Sequence, residues 1–502
     1  MNILIDANTL YQKDCGSKTY TYNLLKEFLI LGQINKNNLN KSNYTINNIN
    51  NNINNIDINN KNININIDIC DISGNIFPLT SIEQLDDIAY KANYKNFLTK
   101  FKKSIPQDSL FYPYIKSFYR NIKKGINKIN IYSANKKGKI YDIFFTPYQM
   151  EIDAGIAKHK FITIHDIYAL TQPDNYLTKS YTLSFKKYLE TYLPHFDAIL
   201  TVSEFTKNEI ANYFNYPKEK IFVVHGGFDK NNYKKTTDEE KIKKFKEKYG
   251  LSKPYLLYAG IIEPRKNIPN LLKAYKELKL QAAANGCIDT DADTDKILAA
   301  AYSDAGAAAG ANGCNLGGSD SISGGGNGFN FNIEKADVNT DGNGNMKQRT
   351  CNKPVFNFDL ILVSGSSALA DETFKLIEEL KPDVKVFKGV NNEDLNLFYN
   401  AADLFIFPSL YEGFGIPPLE AFACETPVIA SNATSIPEIC KDGAYYFDPR
   451  DIHDIKNAII TVLNSQSIKN KLIQKGLKTA KLYSFRNSAQ EILNVFLSLR
   501  KT

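Results

Sequence analysis

The stretch PSLYEGFGIPPLEAFACETPVIASN occupies residues 408–432. An apolar run, DLFIFPSL, leads into it, and a second, TPVIASN, closes it. Between these two strand-like runs lie Gly413, Gly415, the pair Pro417–Pro418 and two glutamates, Glu412 and Glu420, separated by seven residues. Glycines lack Cβ, so the backbone there can come close to a ligand. Pro418 suits the first turn of a helix, where no amide donor is lost. The free amides of that helix point toward the strand end and can hold an anion. Glu412 is expected in the loop, facing a cleft, and Glu420 in the first helical turn. The paired hydroxyls of a sugar or ribose suit such carboxylate acceptors. A lone Glu420 would only favour the helix dipole, worth about 0.3–1 kcal/mol. With Glu412 and the glycines beside it, a ligand site is the stronger reading.

The same strand–turn–helix alternation extends in both directions. MNILIDA, KFITIHDI, DAILTVSE and KIFVVHGG read as strands before a charged helical linker near 236–249. PYLLYAGII, FDLILVSG, VKVFKGV, DLFIFPSL and TPVIASN read as strands after it, with NIPNLLKAYKELK, ADETFKLIEEL, NEDLNLFYNAA and PPLEAFACE as helices. Apolar strands alternating with amphipathic helices predict parallel sheets in α/β layers. At 502 residues the chain exceeds what one compact core usually holds. The expected architecture is two doubly wound, Rossmann-like domains facing a central cleft, where ligands bind at the carboxyl ends of strands. Domain one spans 1–230 and domain two 250–485, and a helix over 486–502 is expected to pack back on the first. Residues 34–66, rich in Asn and Ile, and residues 281–353, rich in Ala, Gly, Asp and Asn, read as two low-complexity inserts.

Composition narrows the setting. Hydrophobic residues make up 43% and charged residues 23%, as in a soluble globular protein. The beginning MNILIDANTL lacks the basic and apolar regions of a signal peptide, so none is expected. No apolar run reaches the roughly 18–20 residues that span a bilayer. Seven cysteines, an odd number without a CxxC pair, indicate neither a disulfide framework nor a zinc site, and fit a cytoplasmic location. Residues 91–140 carry 13 Lys and Arg against one acidic residue, Asp108, with aromatics interleaved. This stretch reads either as a solvated helical face with core aromatics behind it, or as a surface for anionic membrane. Nothing else in the chain supports nucleic acid, and no such partner is expected.

The segment YEGFGIPPLEA resembles the hallmark E-x7-E segment of retaining family 4 (group 1) glycosyltransferases, which have the GT-B fold. The resemblance reaches nearly all the chain outside the inserts. It implies that Glu412 contacts hydroxyls of the transferred sugar and that Glu420 binds the ribose of the nucleotide. It also implies that the backbone of Gly413, Phe414, Gly415 and Ile416 approaches sugar and phosphate. A second match, YAGIIEPRKNIPNLLKAY, puts Arg265 and Lys266 just after a strand. Two fixed cations there can stabilise a departing diphosphate directly, and the family uses the matching pair in that way without a metal. A third, FITIHDIYAL, puts His165 and Asp166 at a strand end, where they imply contact with sugar and acceptor. In LIDANTLYQKDCGSKTYTYNLL the resemblance is weaker: Gly16 can give an amide to the donor phosphate, but Ser17, Lys18 and Thr19 depart from the family's glycine turn. VKVFKGVNNEDL implies that Val390 and Asn391 help read the nucleobase. Glu425 stands where the family usually has glycine.

The implied activity is a retaining, metal-independent hexosyltransferase, moving mannose from GDP-mannose onto a glycan or lipid-linked glycan in surface-polysaccharide synthesis. No cofactor beyond the nucleotide-sugar substrate is expected. A UDP-sugar glucosyl- or N-acetylglucosaminyltransferase is the first alternative, followed by a sugar-nucleotide epimerase and a non-catalytic subunit of the same fold. The inner face of the membrane is the expected place of work. Two metal-like patterns are discounted. DTDADTD (289–295) lies in an insert and follows no strand. DVNTDGNGNMKQ (337–348) ends on Gln348, where a calcium loop needs a bidentate glutamate.

Overall fold

The computed structural model describes residues 1–11, 16–37, 65–70, 76–86, 140–148, 157–172, 179–284, 356–365 and 371–499. The basic stretch up to residue 139, both metal-like patterns and most of the two inserts lie outside these residues.

The first sheet runs in the order β3-β2-β1-β4-β5-β6-β7. Its strands are β1 (Asn2–Asp6), β2 (Asn66–Cys70), β3 (Ile76–Pro78), β4 (Tyr141–Thr146), β5 (Ala157–Ile164), β6 (Ala198–Thr201) and β7 (Ile221–Val223). All pair in parallel except β3, which runs antiparallel along the edge of β2. The second sheet is entirely parallel, in the order β10-β9-β8-β11-β12-β13. It comprises β8 (Tyr255–Ala259), β9 (Asp359–Ser364), β10 (Val384–Lys388), β11 (Leu404–Phe407), β12 (Val428–Ser431) and β13 (Ala444–Phe447). The second sheet reads 3-2-1-4-5-6 and the parallel strands of the first read 2-1-3-4-5-6, both doubly wound orders with the switch point beside the first strand. Central strands such as LFIF and VIAS are buried at every position. That is why they read as continuous apolar runs rather than alternating ones.

Helices cover both sheets: α1 (Gly16–Asn37), α2 (Lys179–Tyr192), α3 (Glu204–Phe214), α4 (Glu239–Tyr249), α5 (Ile268–Ala284) and α6 (Asp371–Glu379). They continue with α7 (Asn392–Ala401), α8 (Ile416–Ala423), α9 (Ile436–Cys440), α10 (Ile452–Leu463), α11 (Gln466–Leu482) and α12 (Phe485–Leu499). The insert boundaries are narrower than the composition suggested. α1 continues to Asn37, β2 begins at Asn66, and α5 takes in residues 281–284.

The chain crosses between the halves twice. α12 leaves the second half and lies on the first, where Phe496 packs against Phe145 and Phe161 at 5.4 and 4.5 Å between ring centres. Burying a phenylalanine of this kind contributes roughly 1.5–3 kcal/mol. At the crossing, a Cβ on Gly227 would lie 2.2 Å from the Phe485 nitrogen, so no side chain fits there. A clasp also joins the halves. Glu438 of α9 accepts from the Glu204 and Phe205 amides at the start of α3, at 2.8 and 3.2 Å, and pairs with His225 Nε2 at 2.9 Å. A carboxylate is well placed at those free amides. Burial alone would raise the Glu438 pKa, but His225 and the two amides hold it below the ordinary range.

Candidate active site

The loops after β8 and β11 meet at the centre of the cleft. Arg265 and Lys266 sit on a single 3-10 turn, Pro264–Lys266, and the Arg265 carbonyl accepts from the Leu410 amide at 2.7 Å. This ties their turn to the segment carrying Glu412. The Lys266 ammonium lies 2.5 Å from Glu412 Oε1, and Arg265 Nη1 lies 3.3 Å from Oε2. The Glu412 side chain is only 8% exposed. Burial pushes its pKa up, but Lys266 and Arg265 outweigh that and hold the carboxyl below its usual range. Burial works against the Arg265 charge as well; Glu412, Asp166 and Glu263 overcome it and raise its pKa. Lys266 shifts downward, because burial outweighs the pull of Glu412. Glu263 grips Arg265 Nε at 2.6 Å. On the other flank, Thr434 Oγ1 accepts from the Glu412 amide at 3.1 Å, and Ser435 Oγ donates to the Glu412 carbonyl at 2.9 Å.

The first half supplies the opposite wall. His165 and Asp166 follow β5 directly and are half-buried. His165 Nε2 lies 3.0 Å from the Pro147 carbonyl, and Tyr20 of α1 stands edge-on to the imidazole at 4.6 Å. Burial lowers the His165 pKa, which favours the neutral ring. The His165 carbonyl accepts from Thr206 Oγ1 at 3.3 Å and abuts Gly413. A Cβ on Gly413 would sit 2.1 Å from that oxygen and 3.1 Å from Asp166 Cβ. The reading of Gly413 as bare only to admit a ligand is therefore incomplete. Its missing side chain first admits the backbone of the opposite domain.

Gly415 adopts φ +98°, a left-handed conformation that glycine takes without strain, and stands at the N-cap of α8. The helix starts at Ile416, with Pro417 and Pro418 inside its first turn. Starting there moves Glu420 to the fifth helical position, beyond the first turn in which the sequence reading put it. Glu420 is half-buried and accepts from the Tyr399 hydroxyl at 2.9 Å. Its pKa is pushed up to about 7, by burial first and by the Asp229 charge, against the Tyr399 hydrogen bond. Val390 packs beside the core, and the Asn391 side chain caps α7 by accepting from the Asp394 amide at 2.7 Å. Phe414 is buried near the hinge, 6.4 Å from the His225 ring, and Gly16 is the first residue of α1. Glu412, Arg265, Lys266, Gly413, His165 and Asp166 thus converge on one place. Glu420 lies farther along α8, and Asn391 spends its side chain on a helix cap.

Two residues of the site escaped the sequence reading. The Tyr411 hydroxyl donates to Glu209 of α3 in the opposite half. Burial and the Asp166 charge push Glu209 up to about 7, against hydrogen bonds from Tyr411 and Thr171. A glutamate amid the charged residues of TKNEI gives no sign of facing a cleft, since its partner is 202 residues away. Glu425 takes φ +59°, which accounts for the glycine usual there. Among the described residues, no group of three or more His, Cys, Asp or Glu is arranged to hold a metal ion, and no helix is long and apolar enough to cross a membrane.

Comparison with known proteins bears on this arrangement. A family model for glycosyl transferases group 1 matches residues 359–479, and one for Glycosyltransferase Family 4 matches residues 141–232. The O-antigen chain mannosyltransferase B of Escherichia coli is 27% identical over 356 residues, covering 70% of this chain and 72% of that protein. The O-antigen chain mannosyltransferase RfbU of Salmonella typhimurium is 25% identical over 306 residues, covering 61% of each. A crystal structure of Anabaena HepE in complex with UDP and glucose shares the fold, with a TM-score of 0.53 at 13% identity, covering 99% of this chain and 100% of that one.

Proposed function

We propose, for a chain that is a glycosyltransferase of GT-B fold, that it transfers mannose from GDP-mannose to a glycan or lipid-linked glycan in surface-polysaccharide assembly. The observation carrying this reading is the buried Glu412 carboxylate held between Arg265 and Lys266 at the ends of β8 and β11. The mannosyltransferases among its relatives favour the sugar.

In the free enzyme Glu412 balances both cations. An arriving nucleoside diphosphate brings concentrated negative charge and competes for Arg265 and Lys266. Glu412 is then released to accept hydrogen bonds from sugar hydroxyls. As the bond from the anomeric carbon to the phosphate oxygen breaks, charge grows on the diphosphate, and both cations stabilise it in place. The acceptor oxygen bonds to the anomeric carbon on the same face, and the leaving phosphate oxygen takes its proton. Retention follows from that geometry, and no protein base is required. This chain supplies positive charge from side chains, so the mechanism calls for no metal. Glu420 holds the ribose, Val390 and the backbone at Asn391 line the nucleobase, and the Gly16 amide contacts the donor phosphate. His165 and Asp166 face sugar and acceptor, and the closed cleft excludes water from the donor. The enzyme acts on the cytoplasmic side of the membrane, with residues 91–140 meeting anionic lipid.

A donor screen tests this. Thermal shift and hydrolysis are measured with GDP-mannose, UDP-glucose, UDP-N-acetylglucosamine and a dTDP-sugar. GDP-mannose is expected to stabilise the protein most and to turn over. Preference for a UDP-sugar reassigns the donor, and isomerisation of the donor without transfer replaces transferase by epimerase.

A further inference from the structure

Tyr411 precedes Glu412 directly and is 4% exposed, yet its ring belongs to the opposite half of the molecule as much as to its own. It packs against Tyr168 with the rings tilted at 4.9 Å and meets Phe205 edge-on at 5.6 Å. Its hydroxyl reaches Glu209, on the same helix as Phe205. Tyr168 in turn lies under the Arg265 guanidinium at 5.7 Å. Three side chains of the first half therefore hold one side chain of the second, and the peptide bond joins that side chain to Glu412. The Asp166 charge acts on both Glu209 and Tyr411, and the Arg265 guanidinium faces the Tyr168 ring.

Resting on the transferase reading above, we propose that Glu209 and Tyr411 are positioning residues whose hydrogen bond couples closure of the two domains to alignment of Glu412 with Arg265 and Lys266. If the halves separate, Tyr411 loses Tyr168, Phe205 and Glu209 together, and the segment carrying Glu412 loses its outer support. When the halves meet, the hydroxyl finds its acceptor and the backbone carrying Glu412 is fixed beside the two cations. The pair is thus a sensor of closure beside the reacting groups, touching neither donor nor acceptor. The Glu438 clasp, by contrast, joins the halves near the hinge.

The test uses the full chain and four variants: Glu209→Ala, Glu209→Gln, Tyr411→Phe and the Glu209→Ala/Tyr411→Phe double. Loss of one well-formed hydrogen bond corresponds to about a tenfold change. Glu209→Ala and Tyr411→Phe should each lower kcat about tenfold, with the donor KM within about threefold. The double variant should be no worse than either single one, because both remove the same interaction. Glu209→Gln keeps a carbonyl acceptor for the hydroxyl and should recover most of kcat. Backbone hydrogen exchange over residues 410–414 should rise in Glu209→Ala and stay at the wild-type level in Glu209→Gln. Wild-type kcat in Glu209→Ala, additive losses in the double variant, or unchanged exchange over 410–414 would each overturn the proposal. If the wild-type chain transfers no sugar, the transferase reading fails, while hydrogen exchange still decides whether Glu209 orders the Glu412 segment.

Discussion

Gly413 and His165 touch across the cleft so closely that a Cβ on the glycine would lie 2.1 Å from the His165 carbonyl oxygen. The atom in the way is backbone, so it cannot be relieved by a rotamer change. Gly413→Ala is expected to hold the halves apart while leaving each sheet intact. A displacement of about 1 Å at a reacting group can cost a hundredfold in rate, and a loss of at least that size is predicted. Transfer assays with circular dichroism check this; near-wild-type turnover would show that the contact is not needed.

Lys266 and Glu412 form the tightest ion pair of the site, at 2.5 Å. Lys266→Ala leaves Glu412 with Arg265 alone and, on the proposed mechanism, removes one of the two cations that would face the leaving diphosphate. Removing one such electrostatic stabiliser typically costs about a hundredfold to a thousandfold in kcat. A fall in that range is expected with the fold retained, measured by steady-state kinetics. A change of less than tenfold would move the diphosphate away from Lys266.

Glu420 sets a pH dependence. Burial, helped by Asp229 and opposed by Tyr399, raises its pKa to about 7. The sign follows from the protonated form being favoured in the folded protein. Its contribution to stability is complete below the ordinary glutamate range and is lost as pH rises through about 7. The ionised carboxylate, the better hydrogen-bond acceptor for the ribose hydroxyls of the proposed donor, predominates only above that value. Nucleotide affinity should therefore strengthen from pH 6 to pH 8 in the wild type and change less in Glu420→Gln. The same variant should melt at a higher temperature than the wild type at pH 8 when no nucleotide is present. Calorimetric titration and thermal melts at the two pH values measure both effects.

Glu425 carries backbone strain. Its φ of +59° costs a non-glycine residue about 1–2 kcal/mol, part of which glycine returns through greater freedom in the unfolded chain. Glu425→Gly should raise stability by roughly 0.5–1 kcal/mol, read as a higher urea midpoint, with unchanged turnover. A lower midpoint would mean that the glutamate side chain contributes more than its conformation costs.

Much of this molecule was legible because its chemistry is written in contiguous segments. Arg265 and Lys266 are neighbours in the chain, and Glu412 follows the apolar run DLFIFPSL, whose strand ends at Phe407. His165 and Asp166 were found the same way, from the run FITI before them. What stayed hidden depends on contacts between distant segments. Nothing local tells Glu209 that Tyr411 will reach it, or Glu438 that two amides of α3 need an acceptor. Gly413 was recognised as special, but its neighbour, the His165 carbonyl, belongs to the other domain. Glu420 was displaced because Gly415 turns left-handed and starts the helix earlier than the prolines suggested. β2 begins on Asn66, at the end of an Asn-rich stretch, where composition masks the apolar alternation of IDIC.

The central claim is that Glu412, poised between Arg265 and Lys266, serves transfer of a sugar from a nucleotide donor. The most direct measurement compares the wild type and Glu412→Gln for turnover and binding of GDP-mannose. Gln keeps the shape of the side chain and removes its charge. The account predicts that the wild type turns over GDP-mannose, while Glu412→Gln loses at least about a hundredfold in kcat and still binds the nucleotide. Full turnover by Glu412→Gln, or no turnover and no binding by the wild type of GDP-mannose or of any UDP- or dTDP-sugar, would contradict it.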